Sequence, residues 1–127
     1  MEGRPLKSLV DFAVGKDKSA GIAVTCRLWD ATPADFCCHN KDRDAEAEIV
    51  ADYVNSNVDY VFGGGAKLFE NREDGRDLFK ELRDKGFQTP RSWDELVKLR
   101  VARYLQCLIQ WMLRCLTNVE TFLPVRR

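Results

Sequence analysis

The sequence predicts an α/β fold built on a parallel sheet. Two short apolar runs, residues 20–26 and 58–62, have the length and residue types of strands. Helical apolar spacing lies before, between and after these runs, so helices and strands alternate along the chain. Such an order is typical of parallel strands joined by right-handed helical crossovers.

The first third of the chain predicts one helix and one strand. Apolar side chains recur every three or four residues in the first helix: Leu6, Leu9, Val10 and Ala13. Pro5 takes the first-turn position that suits proline, and Gly15 ends the helix. The run at residues 20–26 is expected to be buried on both faces of a parallel sheet, and residues 31–33 break it.

The middle of the chain predicts a second helix and strand. The helix runs from about Asp44 to Asn55 and carries one apolar side: Ala45, Ile49, Val50, Tyr53 and Val54. The strand at residues 58–62 is closed by Gly63–Gly65. These glycines lack the Lys-Ser/Thr of a P-loop and the spacing of a dinucleotide fingerprint, so we interpret them as a tight strand-to-helix turn.

A third helix and strand are predicted next. The helix starts at Asp74 or Gly75, stops at Gly86, and buries three side chains: Leu78, Phe79 and Leu82. Residues 86–89 could form the third strand. Ser92 then caps a long last helix, with Glu95 at the capping-box position.

The last segment differs in character from the rest. Residues 96–117 predict one amphipathic helix with apolar positions at three-four spacing: Val101, Leu105, Leu108, Met112 and Cys115. The simplest role for this helix is to cover one face of the sheet or to form a surface for homo-oligomerisation. Attachment to an anionic membrane is the less favoured alternative. We therefore divide the chain into residues 1–96, an α/β domain, and residues 97–127, a divergent helix and tail.

Composition excludes several classes of protein. Twenty basic and twenty acidic residues cancel, which argues against a nucleic-acid partner. Five cysteines are an odd number, and the adjacent Cys37 and Cys38 cannot easily bridge each other, so a full disulfide framework is not expected. The longest apolar stretch is too short and polar to span a bilayer, and the polar N-terminus lacks a signal peptide. The chain as written is expected to be cytoplasmic.

Several motifs together resemble one known family. They are GRPLKSL at residues 3–9, KSAGIAV at 18–24, DATPA at 30–34 and NVDYVFGGG at 57–65. In this order they resemble alkaline phosphatases, over roughly residues 3–96. The resemblance implies a partial parallel-sheet sandwich of the alkaline phosphatase type. The parent family hydrolyses phosphate monoesters with zinc and magnesium, and is periplasmic or extracellular.

The resemblance also implies three site residues. Thr32 takes the position of a magnesium-binding hydroxyl, and Asp30 that of a residue acting on the same ion through water. Arg43 takes the position of the arginine that clamps substrate phosphate. These residue types suit the roles, because Mg²⁺ prefers oxygen ligands and a guanidinium offers two parallel donors to phosphate. With so few ligands the magnesium site is partial and weak.

Each of these residues has a plainer alternative. Thr32 could be a helix N-cap with Pro33 at the first helical position. Arg43 could be a solvated charge beside acidic neighbours. His39, the only histidine, is expected to be packed structurally rather than to bind metal.

What the chain lacks bears on activity. The family's nucleophile is a serine in an Asp-Ser-Ala or Asp-Ser-Gly setting, and no serine here has that setting: Ser8, Ser19, Ser56 and Ser92. One histidine cannot supply a two-zinc site, and the glutamate that completes the magnesium site is absent. We expect a truncated alkaline phosphatase-like protein that is inactive alone. The alternative is a non-enzymatic α/β module that binds phosphate or a protein partner.

Overall fold

The computed structural model describes residues 4–92, 95, 98, 121–122 and 125–126. Helices and strands alternate through its main part, as the sequence predicts. The helices are α1 Leu9–Val14, α2 Ala31–Asp35, α3 Glu46–Asn55, α4 Lys67–Glu70 and α5 Leu78–Asp84. The strands are β1 Gly21–Arg27, β2 Tyr60–Gly64, β3 Phe87–Gln88, β4 Thr121–Phe122 and β5 Val125–Arg126.

The first two strands form the predicted parallel pair. Gly21 lies opposite Tyr60 and Ala23 opposite Phe62, and the register shifts before Arg27. The connection between them contains α2 and α3. A small parallel sheet with helical crossovers is thereby confirmed.

The third predicted strand exists, but its neighbours differ from the prediction. β3 pairs with β5, and β5 pairs with β2, both in antiparallel fashion. β4 also pairs antiparallel with β2. Residues near the C-terminus therefore stand between β2 and β3, and the sheet is mixed rather than wholly parallel.

The first helix begins later than predicted because a side chain caps it. The Ser8 hydroxyl accepts a hydrogen bond from the Asp11 N–H at 3.1 Å, and the Asp11 carboxylate accepts one from the Ser8 N–H at 3.0 Å. This reciprocal capping box fixes the helix start at Leu9. Pro5 and Leu6 precede the helix, so the expected first-turn proline is wrong.

The run of three glycines is only partly a turn. Gly63 and Gly64 continue β2, and only Gly65, with φ of 110°, makes the turn. A Cβ on Gly63 would lie 2.6 Å from a Leu28 methyl carbon, and one on Gly65 would lie 2.0 Å from the Trp29 ring. Glycine therefore allows the segment after β1 to pack directly against β2.

The helices α4 and α5 follow β2 and pack with α3 to form the closed side of the molecule. The short helix α4 was not predicted, and α5 starts at Leu78 rather than at Asp74 or Gly75, because the Asp77 carboxylate caps it through the Lys80 N–H. Gly86, with φ of 88°, follows its end as predicted. The predicted apolar sides of α3 and α5 are buried: Ile49, Val50, Tyr53, Val54, Leu78, Phe79 and Leu82.

The strand β1 is not buried on both faces, contrary to the prediction. Only Ile22 is buried, and Ala23, Thr25 and Cys26 are exposed. Among the described residues β2 is its one strand neighbour. A shallow apolar groove of about 430 Å³ runs along it, which we call the β1 groove; its lining is Leu9, Val10, residues 20–24, Thr32, Pro33 and Phe36.

The start of the last predicted helix is only partly visible. The Ser92 hydroxyl accepts a hydrogen bond from the Glu95 N–H at 3.3 Å, as expected of a cap. Most of the predicted helix, residues 96–117, lies outside the described residues. Within the part of the chain that the structure describes, no helix is long and apolar enough to cross a membrane.

Candidate functional site

The predicted site residues lie just beyond the carboxyl end of β1. The strand ends at Arg27 and α2 begins at Ala31. Asp30 occupies the N-cap position of α2, and Thr32 lies in the first turn. Parallel α/β sheets bind ligands at this kind of strand-to-helix junction.

The Asp30 carboxylate is turned back toward Arg27. One oxygen accepts a hydrogen bond from the Arg27 Nε at 3.2 Å and lies 2.9 Å from a terminal guanidinium nitrogen. The other oxygen accepts from the Arg27 N–H at 3.1 Å. Both oxygens are thus engaged by one cationic residue, which holds the turn before α2.

Thr32 is exposed and has no capping role. Helix α2 has Asp30 at its N-cap position, and Pro33 is the third helical residue rather than the first. The alternative that Thr32 is the N-cap is therefore wrong. Its hydroxyl lies where the β1 groove meets the first turn of α2. Its role as a magnesium ligand stays a prediction.

Arg43 lies in the loop between α2 and α3, and its guanidinium is loosely held. Its side chain is 79% exposed, and its Nε lies 3.8 Å from an oxygen of the exposed Asp44 carboxylate. Side-chain oxygens shape the loop: Asn40 accepts from the Asp42 N–H, and Asp42 accepts from the Asp44 N–H, both at 2.9 Å. The backbone is ordered by these turns while the guanidinium faces solvent.

Arg27 bridges the start of α2 and the start of α3. Besides Asp30 it contacts the Glu46 carboxylate at 3.7 Å, and its guanidinium lies 5.4 Å from the centre of the Trp29 ring. Because Glu46 is the first residue of α3, the start of α3 lies beside the start of α2. Among the described contacts none joins Arg43 to Asp30 or Thr32. Sequence reasoning missed Arg27 and Glu46, although the Arg-x-x-Asp spacing was available as a signal.

The residues present do not fit a complete magnesium site. Mg²⁺ needs near-octahedral oxygen coordination and gives up its hydration water reluctantly. Here one candidate ligand, Asp30, is engaged by a guanidinium, and the other is a single exposed hydroxyl. Over residues 4–92 and the few others described, no group of three or more His, Cys, Asp or Glu side chains is placed to hold a metal.

The serine hydroxyls near helix ends serve the backbone. Ser8 caps α1, Ser56 donates to the Tyr53 carbonyl at 2.9 Å, and Ser92 accepts from the Glu95 N–H. An activated serine nucleophile needs a base within hydrogen-bond reach of its hydroxyl. Ser56 and Ser92 bond to backbone groups, and the Asp11 carboxylate that accepts from the Ser8 hydroxyl at 3.0 Å belongs to the capping box of α1.

His39 is exposed rather than packed, which corrects the prediction. Its imidazole Nε2 lies 3.6 Å from the Asp11 carboxylate, and its backbone N–H donates a hydrogen bond to the Asp52 carboxylate at 3.2 Å. The pKa of Asp11 is lowered, chiefly by the hydrogen bond that the Asn57 amide donates and then by the Ser8 N–H. The His39 ring thus lies beside the carboxylate that caps the first turn of α1.

Comparison with known families gives a match over most of the chain. The sequence model of the family described as Alkaline phosphatase matches residues 1–110. The match extends past residue 96, into the segment that we assigned as divergent. The boundary between the two predicted segments stays a prediction.

Curated relatives give the same assignment. Alkaline phosphatase 4 of Bacillus subtilis strain 168 is 33% identical over 91 residues, which cover 67% of this chain and 19% of the relative. The alkaline phosphatase of Schizosaccharomyces pombe is 34% identical over 99 residues, which cover 67% and 18%. The chain therefore spans about a fifth of the length of these relatives.

Solved structures share the fold of the described region. The alkaline phosphatase of the Antarctic bacterium TAB5 superposes with a TM-score of 0.64 at 34% identity, over 65% of this chain and 24% of that one. A variant of it, solved with Mg bound in a site called M3, gives 0.63 at 35% identity, over 65% and 24%. The alkaline phosphatase of Thermus thermophilus gives 0.62 at 34% identity, over 72% and 20%.

Proposed function

Because the chain belongs to the alkaline phosphatase family, we propose that it is a phosphate-binding part of a phosphate-monoester hydrolase and has no hydrolytic activity alone. The observation that carries the proposal is the exposed, loosely held guanidinium of Arg43, to which the family resemblance assigns the phosphate clamp. Its substrate class is phosphate or a phosphate monoester.

The chemistry of Arg43 suits this role. A guanidinium donates two parallel hydrogen bonds to a phosphate, and its charge strengthens both. The competing carboxylate of Asp44 is 3.8 Å away and exposed, so an incoming phosphate displaces only a weak surface ion pair. The acidic side chains of the same loop limit the affinity, because they repel an anion.

The proposed inactivity follows from the missing nucleophile. The described serines near helix ends are used as caps, and the chain has one histidine. Without a nucleophile and its base, an oriented phosphate ester is bound but not attacked, and most of the rate enhancement of a hydrolase is lost.

Of the family's metals, we propose only a partial magnesium site for this chain. Asp30 and Thr32 would be two members of a partial magnesium site that holds the ion weakly. Zinc would need several further ligands that a single histidine cannot replace. The complete sheet sandwich and the long C-terminal helix are likewise proposed for the whole fold rather than for the part described.

Phosphate binding tests the proposal. Titration calorimetry with inorganic phosphate should give weak binding that Arg43→Ala reduces by about tenfold, the value of roughly one charged hydrogen bond. Arg83→Ala is the matched control, because Arg83 is also exposed and 3.8 Å from a carboxylate, that of Asp77. Equal binding by both variants would overturn the role of Arg43.

Hydrolysis tests the second half of the proposal. An aryl phosphate ester at alkaline pH, with Zn²⁺ and Mg²⁺ added, should show no turnover above the uncatalysed rate. Turnover that Arg43→Ala abolishes would mean that the chain holds an unrecognised nucleophile, and would refute the claim of inactivity.

A second candidate function rests on the β1 groove. Leu9 and Phe36, which line it, are large apolar side chains left exposed, and Phe12 of the same helix as Leu9 is exposed too. Exposed apolar patches next to a free strand edge commonly mark protein-binding surfaces. A non-enzymatic module of this kind would bind a protein partner with Arg43 playing no part, so Arg43→Ala would leave the association unchanged.

A further inference from the structure

Two adjacent thiols are packed together in the turn after α2. Cys37 and Cys38 are 6% and 8% exposed, and their sulfur atoms lie 3.9 Å apart. Both are free thiols. Both N–H groups donate to the Ala34 carbonyl, at 3.0 and 2.7 Å, which fixes the backbone that carries the two sulfurs on the same side.

The separation of the sulfur atoms suits a bridging atom better than a direct bond. Adjacent Cα atoms are about 3.8 Å apart, which is less than the roughly 4.4–6.8 Å that disulfides usually span. A direct bond would therefore distort the turn. By contrast, two sulfur bonds of about 2.3 Å to one atom, at a near-tetrahedral angle, hold the sulfurs roughly 3.8 Å apart. The observed 3.9 Å matches this second arrangement.

The number of ligands decides which bridging atom fits. Zinc in proteins takes four ligands. In the described part of the chain no third His, Cys, Asp or Glu side chain joins this pair as a metal-binding group. The pair therefore suits an electrophile that two thiolates satisfy, and a trivalent arsenic atom carrying one organic group is of that kind.

Both cysteines border surface cavities despite their burial. Cys37 lines a surface cavity of about 270 Å³ together with polar side chains that include Asp52 and Asn57. Cys38 lines a neighbouring cavity of about 470 Å³ that includes Asp35 and Lys41. His39 lines both cavities. A small reagent in either cavity would therefore lie next to one residue of the pair.

The two thiols differ in acidity. Hydrogen bonding between the sulfurs lowers the pKa of Cys37 and raises that of Cys38, and burial raises the pKa of Cys38 further. The thiolate is the reactive form of cysteine. The first bond is therefore expected to form at Cys37, and the second at Cys38 once the reagent is held beside it.

We propose that Cys37 and Cys38 form a vicinal dithiol site that captures monosubstituted trivalent arsenicals of the form R–As(OH)₂. Cys37 sulfur displaces one hydroxide from arsenic and Cys38 sulfur displaces the other. The two hydroxides leave as two water molecules with the two thiol protons, and two As–S bonds form. Arsenic stays trivalent and no group is oxidised. This activity is independent of phosphate binding at Arg43.

The test uses the full chain with its other cysteines, Cys26, Cys107 and Cys115, replaced by serine. Phenylarsine oxide should add one phenylarsenic group per folded chain, as seen by native mass spectrometry. The adduct should protect Cys37 and Cys38 from N-ethylmaleimide, and 2,3-dimercaptopropanol should remove it, whereas an equal concentration of a monothiol should not.

Single substitutions show whether both sulfurs are needed. Cys37→Ser or Cys38→Ser should each weaken capture by about 10²–10⁴-fold, because the second bond is no longer intramolecular. Circular dichroism on each variant confirms that it is folded, and protection in the parent chain gives a readout that needs no variant. Capture that survives either substitution, or no adduct on the folded parent, would overturn the proposal.

Discussion

The side of the molecule around α3, α4 and α5 is closed, whereas the side around β1 is open. Phe69 in the closed side is 0% exposed, while Leu9 and Phe12 in the open side are 69% and 58% exposed. Both sides carry apolar side chains at regular spacing. The difference teaches that spacing reveals which face of an element is apolar, and does not reveal whether the same chain covers it.

The pairing of β1 gives a physical reason for this contrast. The chain spans about a fifth of the curated alkaline phosphatases that it matches. In the described residues, β1 pairs with one neighbour, β2, and leaves its other edge and much of its surface exposed. Within the described residues, the closed side is covered by helices of this chain and the open side is not.

The largest expected effect compares two phenylalanines. Phe69→Ala should lower the free energy of unfolding by about 3–5 kcal/mol, because it removes a fully buried ring and leaves a cavity. Phe12→Ala should change it by about 0.5 kcal/mol or less, since its ring is already mostly in water. Urea unfolding followed by circular dichroism measures both. Equal losses would mean that the open side is covered in solution.

The second effect tests the junction between the two sides. Gly65→Ala should cost about 2–5 kcal/mol, because it combines a positive φ with a Cβ 2.0 Å from the Trp29 ring. Gly75→Ala is the matched control: its φ is also positive, at 73°, but nothing lies within 4 Å of the added Cβ. Its cost should be about 1 kcal/mol, from backbone strain alone.

A comparable loss for both glycine variants would contradict this account of the junction. The Trp29 ring would then have to move away from Gly65 at little cost. Trp29 fluorescence, compared with that of the parent chain, distinguishes a shifted ring from an unchanged one, provided that Trp93 and Trp111 are replaced by Phe.

The third effect concerns association rather than stability. The open side predicts concentration-dependent self-association that Phe12→Asp weakens, because the charge disrupts an apolar contact. The alternative surface is the C-terminal helix predicted from sequence, for which Leu108→Asp is the matched variant. Sedimentation velocity over a range of concentrations separates them. If Leu108→Asp alone gives monomers, the open side is not the contact.

Much of the closed side was predictable because its signals are local. The buried positions of α3 and the stop at Gly86 follow from helical spacing and glycine chemistry within a few residues. The pairing of β5 between β2 and β3 was not predictable, because it joins residues far apart in sequence. The exposure of β1 was missed because an apolar run does not reveal whether the same chain covers it.

The candidate site divides in a similar way. Asp30, Thr32 and Arg43 came from a family motif, which reports residue types at fixed spacing. That motif could not show that Arg27 engages both oxygens of Asp30, because this depends on the side-chain conformation of a residue outside the motif. The adjacent thiols were visible in the sequence, but their 3.9 Å separation was not.

The smallest expected effect lies at the rim of the closed side. The Arg72 side chain, almost fully buried, donates to the Ala47 and Leu68 carbonyls at 2.8 and 3.4 Å, and its guanidinium also holds the Asp74 carboxylate. The hydrogen bond from Arg72, with one from the Arg76 N–H, lowers the pKa of Asp74 to about 2. Arg72 thereby links α3 to α4 and also holds the exposed carboxylate of Asp74.

The sign of the pH dependence follows from that lowered pKa. In the unfolded chain an Asp titrates near pH 3.9, so the ion pair contributes fully above about pH 4. Its contribution is lost as the pH falls toward about 2, where Asp74 becomes protonated in the folded state. Urea midpoints measured between pH 5 and pH 2 should therefore fall more steeply for the parent chain than for Asp74→Asn. Asp44→Asn removes a carboxylate from an exposed loop and should keep the steeper profile. If Asp74→Asn also keeps the steeper profile, the acid sensitivity of the closed side does not come from the ion pair between Arg72 and Asp74.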